Sequence, residues 1–155
     1  MGMDVMKSQW REPFDVRELT IRVDPRGSLF EILRFVDDDV PPKGQLYTFS
    51  VNPGARRGDH YHLTKREWFT CVYGRVTVLL DNLHGQTQVV DMDADRPAIV
   101  YAGPGTTHAL VNQGTEVSVV VSYGSEQHHP DDPDTYRAVA VKSWTTSSPA
   151  RSSAR

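Results

Sequence analysis

Nowhere in this chain does an apolar period of 3.6 persist over a window of about 11 residues or more. The apolar residues instead alternate in short runs, cut by 11 glycines and 10 prolines. Leu19, Ile21 and Val23 alternate with polar neighbours, Asp24-Pro25-Arg26-Gly27 has turn composition, and an extended apolar run resumes over 29–35, so a hairpin is expected there. Tyr47, Phe49 and Val51 share one face of a further strand that Asn52-Pro53-Gly54 ends. Residues 67–74 and 76–80 are rich in β-branched and aromatic side chains, 81–85 form a turn, and 87–92 a further strand. The rhythm repeats over 98–101, 108–112 and 116–123, with a last strand at 136–141. The fold class is all-β, a sandwich or a barrel.

At 155 residues one domain is expected, with enough chain for a core without disulfides. Its expected limits are an N-terminal arm at 1–14, a body at 15–142 and a polar tail at 143–155 with little to bury. Trp10 is the arm's one large anchor, for this domain or for a neighbouring subunit. Cys71, the single cysteine, sits in an apolar run and reads as packing. A net charge of −3 gives no reason to expect nucleic acid or an anionic membrane as partner. With no apolar stretch of signal or membrane-span length, a cytoplasmic location is expected.

The polar residues carry the chemistry. His60 and His62, two apart, would point to one face of an extended strand about 7 Å apart and could converge on one ion. Glu67 follows His62 by an odd number of residues, so Leu63-Thr64-Lys65-Arg66 must bend if the carboxylate is to join them. His108, after Gly103-Pro104-Gly105, would complete three nitrogens and one carboxylate oxygen. That set suits Zn, Fe, Mn or Ni better than Mg or Ca. His84, in an expected loop, and His128-His129, ahead of the acidic run Pro130-Asp131-Asp132-Pro133-Asp134, read as surface features.

Gly58-Asp59-His60-Tyr61-His62, then Glu67, then Gly74 resembles the first motif of the cupins, and Gly105-Thr106-Thr107-His108 with Asn112 resembles the second. Gly103 stands where the second motif usually has proline. The resemblance implies a cupin jelly-roll barrel with His60, His62, Glu67 and His108 as metal ligands; some sugar-modifying cupins use the same histidine positions as a base. A closer resemblance covers residues 15–141. The stretches 24–34 (Asp24 to Arg34), 53–69 and 130–136 (Pro130-Asp131-Asp132-Pro133-Asp134-Thr135-Tyr136) are similar to the cupin half of bifunctional capsular-polysaccharide epimerase/reductases, the closing Pro-Asp-Thr-Tyr most specifically.

That likeness implies a zinc-holding epimerase acting at C3 of a nucleotide-linked 4-keto-6-deoxy sugar. The companion reductase has no counterpart here, since no Gly-x-Gly-x-x-Gly follows a strand, so any reduction falls to a separate reductase. Epimerisation beside a ketone needs a base, a group that stabilises the enolate oxygen and a proton donor on the other face. His60 or His62 is the expected base if it is not a ligand. Tyr47, Tyr73 and Tyr123 are candidate donors, with Tyr73 preferred because it shares strand parity with Glu67, Phe69 and Cys71. Arg26, Arg56, Arg57 and Lys65 are the candidate cations for the substrate's diphosphate. A 3,4-ketoisomerase, a metal-dependent dioxygenase and a sugar-binding module remain alternatives. A homodimer formed through sheet edges is expected.

Overall fold

The structure, a computed structural model, describes residues 9–145. Among them twelve strands form: β1 Phe14–Glu18, β2 Arg22–Asp24, β3 Gly27–Leu29, β4 Gln45–Val51, β5 Arg56–Tyr61, β6 Glu67–Tyr73, β7 Arg75–Asp81, β8 Thr87–Asp93, β9 Ala98–Ala102, β10 Thr107–Val111, β11 Ser118–Gly124 and β12 Tyr136–Arg137. One antiparallel sheet runs β1-β9-β6-β11-β4 and the other β12-β5-β10-β7-β8, while β2 and β3 pair only with each other. Neighbours in each sheet are distant in sequence. Such crossing between two facing sheets is the jelly-roll barrel that the resemblance implied.

Period-two alternation sorts the side chains. Along β6, Phe69 and Cys71 enter the core between the sheets with Val78, Leu80, Val100 and Leu110, whereas Trp68 faces out into a second cluster with Trp10, Ile99, Tyr101 and Tyr123. Each such aromatic, once buried, contributes about 2–3 kcal/mol of transfer free energy. Cys71 is free and buried, and burial pushes its thiol up to about 11, which suits packing rather than nucleophilic chemistry.

Trp10 anchors to its own domain. Its Nε1 donates to the Asp38 carbonyl at 2.7 Å, its ring packs on Trp68 and Tyr101, and the Arg17 guanidinium lies 3.7 Å over it. The body therefore begins earlier than position 15, since Phe14 already belongs to the core. At the other end, Trp144 packs against Leu79, Ala109, Val111 and Ala140 on the outer face of the second sheet, so the expected tail does not start at 143. Residues 146–155 lie outside the described residues.

Three expected strands differ. The first is at Phe14–Glu18 and pairs with β9, leaving only Arg22 and Val23 of the expected 19–23 run in the hairpin. Residues 30–39 form no strand; the Asp38 carboxylate accepts the Arg34 N–H at 2.6 Å and turn bonds run from Asp38 to Arg34 and from Val40 to Phe35. Local acceptors there outcompete a ladder. The last strand stops at Arg137, after which Ala138 and Ala140 bond back to Asp59. No helix of the described residues is long and apolar enough to cross a membrane.

Candidate active site

The polar residues meet at one mouth of the barrel because the chain changes sheets between His62 and Glu67. β5 ends at Tyr61 in one sheet, Glu67 opens β6 in the other, and the expected bend at 63–66 lies between them. β5 also lies unusually close to β10. Gly58 has φ 97°, and a Cβ there would stand 2.5 Å from the His108 carbonyl oxygen. Only glycine permits this approach, which brings His60 directly opposite His108 across the ladder.

His60, His62 and His108 offer ring nitrogens that all lie within 4.8 Å of one another. Glu67, almost wholly buried, reaches His62 Nε2 with Oε1 and His108 Nε2 with Oε2, each at 3.1 Å. Lys65 Nζ and the Tyr47 hydroxyl both stand 3.4 Å from the same Oε1. Burial pushes the Glu67 carboxyl up, but the adjoining His108 and His62 imidazoles outweigh it and hold the group well below the usual carboxylate range. His60 is pushed down to about 4 by burial and by the charge of His108.

His62 bears on metal binding. Its Nδ1 lies 2.6 Å from the Asp134 carbonyl and donates there, which turns Nε2 toward the Glu67 oxygen. That Nε2 is buried and has no in-line hydrogen bond despite the short distance. Two facing acceptors at 3.1 Å repel unless a proton or a cation lies with them. Three imidazoles and one carboxylate, with one nitrogen lacking a hydrogen bond, fit a divalent transition metal.

A cavity of about 320 Å³ opens beside this cluster. His60 and Arg57 from β5 line one wall, Tyr47 and Phe49 from β4 another, and Glu67, Phe69 and His108 close it. Burial, then the Glu67 charge, holds Tyr47 well above the usual phenol range, so its hydroxyl stays protonated.

Several expected site residues lie elsewhere. Tyr73 is 57% exposed at the far end of β6, roughly 20 Å of strand from Glu67. A bulge between Val119 and Val120 breaks the pairing parity just before it, so the face shared by Glu67, Phe69 and Cys71 does not extend to Tyr73. Tyr123 is bonded to backbone, donating to the Pro41 carbonyl and accepting from the Gly44 N–H. Among the tyrosines it is Tyr47 that reaches the cavity. Arg26 sits at the tip of the β2–β3 hairpin paired with Asp24 and does not line the cavity. Arg56 is held by Asp59 through two bonds of 2.6 and 2.7 Å and by the Ala140 carbonyl. Arg57 and Lys65 are the expected cations that the fold brings to the mouth.

Asp134 belongs to the acidic run expected to be a surface feature, yet its carboxylate accepts the N–H groups of Leu63, Thr64 and Lys65. Its place between Pro133 and Thr135, a turn-prone acceptor inside Pro-Asp-Thr-Tyr, was the available signal.

A model of the polysaccharide biosynthesis C-terminal domain matches residues 22–136. The chain belongs to this family. Among similar proteins, a UDP-2-acetamido-2,6-β-L-arabino-hexul-4-ose reductase of Pseudomonas aeruginosa is 33% identical over 120 residues, which are 77% of this chain and 31% of that protein. The probable low-salt glycan biosynthesis epimerase Agl13 of Haloferax volcanii is 29% identical over 132 residues, 79% of this chain and 84% of Agl13. The crystal structure of the capsular polysaccharide assembling protein CapF from Staphylococcus aureus superposes with a TM-score of 0.61 at 28% identity, covering 79% of this chain and 34% of CapF. The chain thus spans about a third of the reductase and of CapF, and most of Agl13.

Proposed function

We propose that the chain is a nucleotide-sugar epimerase acting at C3 of a nucleotide-linked 4-keto-6-deoxy sugar in polysaccharide or glycosylated-metabolite biosynthesis. The observation that carries this reading is the placement of two proton-transfer groups on opposite walls of one cavity. His60 stands on β5 of one sheet and Tyr47 on β4 of the other. Inverting a carbon requires a proton to leave one face and another to arrive on the opposite face, so groups that flank the substrate are what the reaction needs. The likeness to an epimerase and to one third of a 4-ulose reductase supports the same reading.

His60, unprotonated at neutral pH, takes the C3 proton, which the neighbouring C4 ketone makes acidic. The electron pair moves onto the C4 oxygen. Tyr47, held protonated, delivers a proton to the other face of C3 as the carbonyl re-forms. Arg57 at the rim is the cation available to the diphosphate, while Lys65 adds positive charge beside Glu67. The donor set of His60, His62, Glu67 and His108 would hold one divalent transition ion, zinc by our reading; when bound, it supplies Lewis acidity toward the keto oxygen. One histidine cannot be ligand and base at once. Exchange that survives complete chelation assigns His60 as the base, and exchange that depends on added zinc assigns it as a ligand.

Incubation in heavy water with such a substrate should introduce deuterium at C3 and invert its configuration. A 3-keto product would instead make the chain a ketoisomerase, and oxygen uptake with ferrous iron a dioxygenase. Folded protein, with and without zinc, that exchanges no nucleotide-linked keto sugar overturns the proposal. We also infer a cytoplasmic homodimer served by a separate reductase. The exposed hairpin residues Val23 and Leu29 favour self-association, and a monomer by light scattering at micromolar concentration would refute it.

A further inference from the structure

We propose that Asp134 is a positioning residue for this site, fixing the ring of His62 and the corner that carries Glu67 through two different parts of the same residue. Its carboxylate accepts three successive backbone N–H groups, Leu63 on Oδ1 at 2.9 Å and Thr64 and Lys65 on Oδ2 at 3.0 Å. These donors belong to the bend between sheets, where no neighbouring strand can take them, and an unmet donor in such a corner would let it open. The residue's own carbonyl accepts the Nδ1–H of His62 at 2.6 Å.

The geometry behind this is specific. Asp134 has φ 45°, a left-handed conformation that Asp adopts more readily than most side chains, and it turns carboxylate and carbonyl toward the same corner. Two residues on, Tyr136 pairs with Tyr61 in the ladder and stacks on its ring at 5.4 Å, so the clamp is sewn to β5 at its other end. The carbonyl selects the His62 form that carries its proton on Nδ1 and turns Nε2 to Glu67. By holding the Lys65 backbone, the carboxylate also sets where that side chain leaves the corner to reach Glu67. The apparent acidic surface run is thus a strap across the site's weakest corner. Its catalytic consequence rests on the epimerase reading, whereas its placement does not.

The test is nuclear magnetic resonance on the full chain with 15N-labelled histidine. Wild-type protein should show a slowly exchanging His62 Nδ1–H and protected amides at Leu63, Thr64 and Lys65. Asp134→Gly, which tolerates the left-handed backbone, should lose the ring signal and speed exchange at all three amides by about tenfold. Asp134→Asn keeps a single acceptor oxygen, so either Leu63 or the Thr64–Lys65 pair should lose protection; this variant decides the matter should the glycine variant not fold. A folded variant in which the ring signal and all three amides keep wild-type behaviour overturns the clamp. With a turned-over substrate, Asp134→Asn should lower kcat and leave KM nearly unchanged. If wild-type protein turns over no nucleotide sugar, the epimerase reading falls while the resonance result still decides the clamp.

Discussion

Glu67 and Trp68 are adjacent in β6, both almost fully buried, and built into the protein on opposite terms. Glu67 faces inward as an ionised carboxylate and is tolerated there only because two imidazoles, a lysine and a phenol surround it. Trp68 faces outward into Trp10, Tyr101 and Tyr123, with ring centroids 5.1–6.1 Å away, and the Arg66 guanidinium lies 5.2 Å from its ring. The mouth spends stability on a chemical arrangement, and the flank supplies the stability that makes this possible. Changes at the mouth should therefore alter rate with little effect on folding, and changes on the flank the reverse.

The largest expected effect breaks the mouth alone. His60→Asn should reduce deuterium exchange at C3 by about 10²- to 10⁴-fold, the usual contribution of a positioned base. Because His60 is only half-buried at the cavity wall, the denaturant midpoint should move little; a large midpoint shift would show that mouth and flank are not separable. Trp68→Ala is the converse, costing about 3–5 kcal/mol in urea unfolding while exchange per folded molecule stays near wild type. Trp68→Phe should cost clearly less than Trp68→Ala, since it deletes fewer buried atoms and the indole Nε1, buried without a hydrogen-bond partner, loses none.

A smaller effect sharpens the assignment within the mouth. Tyr47→Phe should leave exchange at C3 within about tenfold of wild type yet uncouple it from inversion, because His60 can return the proton to the face it came from. Product analysis would show deuterium with retained configuration. Tyr73→Phe should change neither quantity. Equal effects of the two substitutions would show that position at the cavity wall does not govern the proton donor.

Much of this contrast was legible in the sequence. The His-x-His spacing, the odd step to Glu67 and the need for a bend at 63–66 follow from strand parity, and the structure contains each. Tyr73 departs for a reason parity cannot register, a bulge in β6 itself, where Val72 is the extra residue opposite Val119 and Val120 and ends the shared face early. Arg56 and Arg57 are indistinguishable as neighbours in sequence. They separate only because β5 turns one toward the cavity and the other toward Asp59 and the C-terminal segment. Asp134 was hidden because its partners are backbone N–H groups some 70 positions away, and no side-chain pattern reports them.

The smallest effect concerns what fastens the second sheet behind the mouth. Asp59, at φ 58° in the bulge beside His60, holds Arg56 through both carboxylate oxygens and accepts the Ala140 N–H at 3.0 Å. Burial pushes its carboxyl up, yet the Arg56 guanidinium and that N–H outweigh burial and lower it. A carboxyl depressed in the folded state stabilises the fold at pH values above the ordinary Asp range and loses that contribution as the pH falls through its folded value. Asp59→Asn tolerates the same backbone and keeps one acceptor, so it should cost about 1 kcal/mol at pH 7. The gap between the two unfolding curves should begin to narrow below about pH 4, where the unfolded carboxyl takes up its proton, and close as the pH falls through the lower value of the folded group. A gap that stays constant with pH would mean that Asp59 acts through shape alone, and one that widens in acid would reverse the sign of its ionic contribution.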